Sequence, residues 1–163
     1  MEDKMELVSL RVNGRTWHIA AEKSWSLLYT LREVMDLTGT KCGCSTGDCG
    51  SCKVIIDGEA VNSCSVRAAD LEGKEIQTIE GVSPDGISLH PIQQAFIDCG
   101  AVQCGFCTPG MVMAAKALLD SNADPTEDEI REAMKGNLCR CTGYVKIVEA
   151  VKKAAGDMRR EGR

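Results

Sequence analysis

The chain has 163 residues, a net charge of −5 and an aromatic content of only 4%. This length suits one ordinary domain or two small ones, and each of two small domains would have little hydrophobic core. The acidic balance excludes the basic stripe of a nucleic-acid-binding protein, and no apolar run approaches the roughly 20 residues that a membrane span needs.

The N-terminus is charged over residues 1–6 and leads into a strand pattern without the apolar run of a secretory signal. We therefore expect a soluble, cytoplasmic chain. In a reducing compartment, ten cysteines indicate metal binding or redox chemistry rather than disulfides.

The sequence pattern of residues 1–82 predicts a small domain with a mixed β-sheet and one helix. Alternating apolar residues flank the Asn-Gly pair at 13–14, a strong hairpin signal, and residues 27–35 have helical spacing. A second hairpin is predicted around the Asp-Gly pair at 57–58, and a short strand at 75–79. This order of elements indicates a β-grasp fold of the ferredoxin type.

Residues 83–163 predict a separate helical domain, which begins in the turn-rich stretch 81–86. We expect helices at 90–101, at 111–120 with Thr108 as the N-cap, from Thr126 to about residue 136, and from about residue 142 onward. Thr126 and Glu129 have the spacing of a capping box. The fold class is therefore α+β, with a four-helix bundle after the β-grasp domain.

The first group of cysteines has the spacing of a plant-type [2Fe–2S] site, with gaps of four and two residues before a fourth cysteine on a strand. Its predicted ligands are Cys44, Cys49, Cys52 and Cys64. Glycines between them allow sharp bends and close approach of the backbone to the sulfurs. A zinc site is a weaker interpretation, because zinc ribbons favour two matched CxxC pairs. Cys42 is left over and is interpreted as a buried bystander.

The second group leaves two ligand sets open. Cys99, Cys104 and Cys107 repeat the four-then-two spacing, whereas the competing set combines a CxxC with a CxC: Cys104, Cys107, Cys139 and Cys141. The second set is favoured because its members precede predicted helices, where the helix dipole stabilises thiolates, whereas Cys99 lies in the last turn of a helix. Spacing alone does not decide between the two sets.

Four sequence blocks resemble the iron–sulfur subunit of the molybdenum hydroxylases, the xanthine oxidase family. They are the stretches 43–52, 61–64, 103–110 and 136–144, and the resemblance covers nearly the whole chain. It implies a ferredoxin domain and a helical domain, each with one [2Fe–2S] cluster. It also implies that Cys104, Cys107, Cys139 and Cys141 hold the second cluster, and it leaves Cys99 and Cys42 outside both sites.

The resemblance further implies an electron path. Electrons from a molybdenum site pass through the second cluster and then the first, usually to FAD. Gln103 and Cys141 match positions that approach the pterin of the molybdenum cofactor in relatives. The expected partners are a large molybdopterin-binding subunit, which holds the substrate site, and a medium FAD-binding subunit.

Two rival functions belong to other classes. A free-standing two-cluster ferredoxin would serve several enzymes without a committed partner. A zinc-stabilised interaction module would contain no acid-labile sulfide. Iron content and co-purification with a molybdenum protein separate these alternatives.

Overall fold

The computed structural model describes residues 5–83 and 85–162, and its first half is a five-stranded mixed sheet. The strands are β1 (Met5–Val12), β2 (Arg15–Glu22), β3 (Lys53–Ile56), β4 (Glu59–Asn62) and β5 (Glu75–Gln77), in the spatial order β2-β1-β5-β3-β4. The pair β1 and β5 is parallel, and the other neighbours are antiparallel. Together with the helix described next, this is the predicted β-grasp arrangement.

Both predicted hairpins are confirmed. Asn13 and Gly14 have φ angles of 51° and 73°, and Asp57 and Gly58 have φ angles of 49° and 90°. Two successive positive φ values suit a two-residue turn that follows the twist of its strands. The Asn13 side chain also donates to Thr78 Oγ1 and accepts from the Thr78 amide, both at 2.9 Å, and thereby fixes the segment after β5.

The helix across the sheet covers nearly all of the predicted stretch 27–35, but most of it is not α-helical. It consists of α1 (Leu27–Tyr29), capped by the Ser26 side chain, and a π-helical turn (Thr30–Val34). It ends where Asp36 takes a left-handed conformation, with a φ of 57°. The following segment therefore leaves the helix and leads into the cysteine-rich loop.

Over residues 85–162, the second half contains four α-helices, as predicted. They are α2 (Pro91–Asp98), α3 (Thr108–Ser121), α4 (Glu127–Met134) and α5 (Val145–Arg160). The capping box of Thr126 and Glu129 is confirmed at the start of α4. Two helix starts differ: Cys107, not Thr108, occupies the N-cap of α3, and α5 begins only at Val145, after two residues with positive φ.

Two hydrophobic cores correspond to the two halves. One lies between the sheet and α1, around Leu10, Leu31 and Ile76, and the other lies among α2–α5. Ile55 and Val82 belong to the helical core, so β3 and the linker pack against the bundle. The division between residues 82 and 83 stays a prediction. Within the described ranges, no helix has the length and apolar character needed to cross a membrane.

Candidate functional site

Three cysteines of the first group, Cys44, Cys49 and Cys52, lie in the loop between the π-helical turn and β3. The Cys44 sulfur accepts hydrogen bonds from the amides of Thr46 and Cys49, each at 3.4 Å, and contacts the Cys49 thiol. Cys64 follows β4 in a 3₁₀ turn (Ser63–Ser65). Because Ser63 donates through both its amide and its hydroxyl to the Cys52 carbonyl, the turn places Cys64 against Cys52.

The thiols of this group have opposite electrostatic environments. Hydrogen bonds from the Thr46 side chain, and then from the Thr46 and Cys49 amides, lower the pKa of Cys44 to about 6. Burial raises the pKa of Cys52 to about 11, since only 3% of that residue is exposed. The loop therefore favours a thiolate at its open end, whereas the inner thiolate needs a positive counter-charge such as iron.

Glycines bring backbone and sulfur close together in this loop. A Cβ atom at Gly43 would lie 2.7 Å from the Cys49 sulfur and 2.6 Å from the Ser51 hydroxyl. Gly50 has a φ of 69°, and a Cβ atom there would lie 2.1 Å from the Gly136 carbonyl oxygen. These two positions leave no room for a side chain, as expected for a backbone that wraps an inorganic group.

The second group is built from two segments that meet. Cys104 and Cys107 precede α3, Cys139 and Cys141 precede α5, and the sulfurs of Cys104 and Cys141 are 3.6 Å apart. The Cys107 thiol contacts the Cys139 thiol. The Cys139 amide donates to the Tyr144 hydroxyl at 2.9 Å, which fixes the segment before α5.

Burial and hydrogen bonds have different net effects on the thiols of the second group. Burial raises the pKa of Cys107 to about 12, even though this residue caps α3. Burial also acts to raise the pKa of Cys139, but hydrogen bonds from Thr142, Cys141 and Cys107 together outweigh burial and lower this pKa. The helix-end stabilisation expected at Cys107 is therefore not the main effect there.

Both groups place their thiols in pairs. The pairs are Cys44 with Cys49, Cys52 with Cys64, Cys104 with Cys141, and Cys107 with Cys139. No three His, Cys, Asp or Glu side chains within residues 5–83 and 85–162 are grouped to hold a metal ion. Four cysteines per site match the number of ligands that a two-iron cluster takes.

The two remaining cysteines lie apart from these pairs. Cys99 is the C-cap of α2 and lies near Lys146 in the first turn of α5. No hydrogen bond in the described part of the chain joins its thiol to the other four of the second group. Cys42 is exposed, with its sulfur 3.1 Å from the Ser45 hydroxyl, and is thus not the buried bystander that the sequence predicted.

The two sites meet at a narrow seam. The Leu138 amide donates to the Cys49 carbonyl at 2.9 Å, and the buried Asn137 side chain donates to the Gly50 carbonyl at 3.1 Å. Gly110 in α3 packs on the same carbonyl, because a Cβ atom there would lie 2.2 Å from it. Sequence reasoning missed Asn137, since a Gly-Asn pair signals only a turn.

Gln103 lies at the open side of the second group. Its side-chain amide donates to the Cys141 carbonyl at 3.1 Å, and both residues are exposed. Large apolar side chains that are close in sequence to these cysteines are also exposed: Val102 (39%), Phe106 (48%), Leu138 (58%) and Val145 (57%).

A β-grasp half and a helical half, each with two pairs of thiols, are typical of the class of two-domain iron–sulfur proteins. Family models agree with this class: residues 10–83 match a 2Fe-2S iron-sulfur cluster binding domain, and residues 78–152 match a second [2Fe-2S] binding domain.

Known proteins give a narrower family. The chain is 51% identical to the nicotinate dehydrogenase small FeS subunit of Eubacterium barkeri, over 90% of this chain and 93% of that protein. It is 47% identical to the nicotine 6-hydroxylase small subunit of Paenarthrobacter nicotinovorans, over 96% and 93%. The crystal structure of quinoline 2-oxidoreductase from Pseudomonas putida 86 superposes with a TM-score of 0.92 and 44% identity, over 98% of both chains.

The chain belongs to the iron–sulfur subunits of the xanthine oxidase family of molybdenum hydroxylases. It is therefore the electron-transfer subunit of a multi-subunit oxidoreductase that also has a large catalytic subunit. The family predicted from the four sequence blocks is confirmed.

Proposed function

We propose that Cys44, Cys49, Cys52 and Cys64 ligate the first [2Fe–2S] cluster, and that Cys104, Cys107, Cys139 and Cys141 ligate the second. The observation that carries this proposal is the arrangement of eight thiols as two sets of two pairs. When bound, the clusters supply one-electron redox chemistry. The protein supplies amide donors to Cys44 and the Thr142 hydroxyl to Cys139, which help set the two potentials.

Electrons enter at the second cluster in this proposal. Cys104 and Cys141 are exposed, and Gln103 is held beside them by its bond to the Cys141 carbonyl. A pterin of the molybdenum cofactor, carried by the large subunit, would lie against Gln103 and Cys141. The exposed apolar side chains close in sequence to these cysteines suit a permanent interface that excludes water.

A short bonded route connects the two sites. It runs from Cys49 through its carbonyl to the amide of Leu138, and along one peptide bond to Cys139. This route is covalent apart from one hydrogen bond, between the Leu138 amide and the Cys49 carbonyl. That hydrogen bond holds the two clusters at a fixed separation in this proposal.

Electrons leave from the first cluster in this proposal. The exposed residues around its loop are small and polar, among them Ser45, Thr46, Asp48 and Ser65. We assign this side to a medium FAD-binding subunit. We further propose a cytoplasmic complex, because a reducing compartment keeps ten cysteines available as thiols.

The substrate class proposed for the complex is an N-heteroaromatic ring. The relatives described above are named for nicotinate, nicotine and quinoline, and all three names denote N-heterocycles.

Purification of the complex through this chain tests the proposal. We expect four irons and acid-labile sulfide per chain, two paramagnetic signals after reduction, and co-purifying molybdenum and FAD subunits. Turnover of N-heterocycles rather than aldehydes or acyl-CoA thioesters would support the substrate class. Zinc without labile sulfide would sink the cluster assignment. A chain that always runs as a free monomer would favour the free-standing ferredoxin.

A further inference from the structure

Lys53 lies at the seam between the two sites and has no part in the function proposed so far. It directly follows Cys52 at the start of β3, and its side chain is half-buried. Its ammonium group donates to the Gly136 carbonyl at 3.1 Å, across the boundary between the two halves. The first residue of a strand thus reaches the loop that precedes Cys139.

Neighbouring contacts place this ammonium group on the side of the first site. The Gly136 carbonyl packs on Gly50, which lies between Cys49 and Cys52. The ammonium group therefore lies beside the loop that carries Cys49 and Cys52, two proposed ligands of the first cluster.

Among residues 5–83 and 85–162, no carboxylate forms an ion pair with Lys53, whereas the nearby Lys135 is exposed and pairs with Glu132. A partly buried charge without a partner is costly. A [2Fe–2S] cluster with four thiolates is anionic when oxidised and gains another negative charge when reduced, so it would supply the missing partner.

We propose that Lys53 is the counter-charge that raises the reduction potential of the first cluster relative to the second. The inference rests on the proposed ligand sets. In the step concerned, one electron leaves the reduced second cluster and reduces the oxidised first cluster, with no bond formed or broken and no proton transferred. A fixed positive charge beside the first cluster stabilises the product of this step more than its reactant.

The test is a redox titration of the purified complex, followed by the two paramagnetic signals. Lys53→Met removes the charge and the hydrogen bond, Lys53→Gln removes the charge but keeps a donor, and Lys53→Arg keeps the charge. Lys135→Met is the matched control, because Lys135 is adjacent to Gly136 but is exposed and paired with Glu132. Iron and sulfide content are measured for every variant.

We expect both neutral variants to lower the equilibrium constant for electron transfer from the second cluster to the first about tenfold. A tenfold change equals about 59 mV for a one-electron couple. Lys53→Arg and Lys135→Met should keep the wild-type value. Loss of the first cluster from Lys53→Met and Lys53→Gln, but not from Lys53→Arg, would also support the inference, because it would show that the cluster requires a positive charge at this position.

Two results would overturn the inference. One is an unchanged equilibrium constant in a neutral variant that retains four irons. The other is loss of the first cluster in Lys53→Arg as well, since this would show a need for the lysine shape rather than its charge. Wild-type protein without two signals would instead refute the proposed function, so the two failures are distinguishable.

Discussion

The two cysteine sites differ in how much of the fold they need. The first draws three thiols from one loop and the fourth from the end of the next hairpin, all within the first half of the chain. The second draws two thiols from the segment before α3 and two from the segment before α5, and these meet only when the bundle is packed. The first site is thus a local motif, and the second is a product of tertiary structure.

The residues that surround the two cysteine sites also differ in polarity. Small polar residues surround the first loop, whereas exposed apolar side chains accompany the second group of thiols. An apolar rim suits a permanent protein interface, and a polar rim suits a more hydrated one. This comparison indicates that a partner subunit covers more of the second site than of the first.

Removal of one thiol from each site is the strongest test of this difference. Cys44→Ser should remove two irons and one paramagnetic signal, because a thiolate ligand is lost. Cys141→Ser should remove two irons and the other signal. Because the second site joins two segments of the bundle, we also expect Cys141→Ser to lower the thermal midpoint more than Cys44→Ser, as measured by circular dichroism. Equal losses of midpoint would contradict the distinction.

A side chain at Gly110 should destabilise the seam between the two sites. Its Cβ atom would lie 2.2 Å from the Gly50 carbonyl oxygen and 3.0 Å from the Ser51 Cα atom, both backbone atoms. We expect Gly110→Ala to lower the free energy of unfolding by about 3 kcal/mol, the upper range for overpacking. Denaturant unfolding measures the change.

Gly156→Ala in α5 is the matched control for Gly110→Ala. Gly156 is also helical, but its Cβ atom would meet no atom within 4 Å. This substitution should raise the free energy of unfolding by about 0.5–1 kcal/mol, because alanine favours the helix. Similar effects at both glycines would show that the seam is not tightly packed.

Loss of the α4 capping box should have a smaller effect, confined to the helical half. Thr126 accepts from the Glu129 amide at 3.3 Å, and Glu129 accepts from the Thr126 amide at 2.7 Å. Thr126→Ala should lower the free energy of unfolding by about 1 kcal/mol. Serine at this position keeps the cap and should preserve most of the stability. An equal loss in the serine variant would point to the methyl group rather than the hydrogen bond.

Cys99→Ser should have the smallest effect on the clusters. The Cys99 thiol ends α2 and has no bond to the four thiols of the second site in the described part of the chain. We expect four irons and both signals to remain. Loss of two irons in this variant would return Cys99 to the ligand set.

The same contrast explains what the sequence predicted. Spacing was enough to group the first four cysteines, and the Asn13-Gly14 turn was enough to predict the first hairpin. The contact between Cys104 and Cys141 depends on how α3 and α5 pack, so spacing left Cys99 open and only the family resemblance excluded it. The roles of Asn137 and Lys53 were not visible, because both act through backbone carbonyls of the other segment.

The direction of electron flow is the central claim, and substrate reduction of the Cys141→Ser complex tests it most directly. If electrons enter at the second cluster, substrate should no longer reduce the first cluster in this variant, although dithionite still should. In the Cys44→Ser complex, substrate should still reduce the second cluster. Rapid appearance of the first-cluster signal after substrate addition to the Cys141→Ser complex would contradict the proposed path.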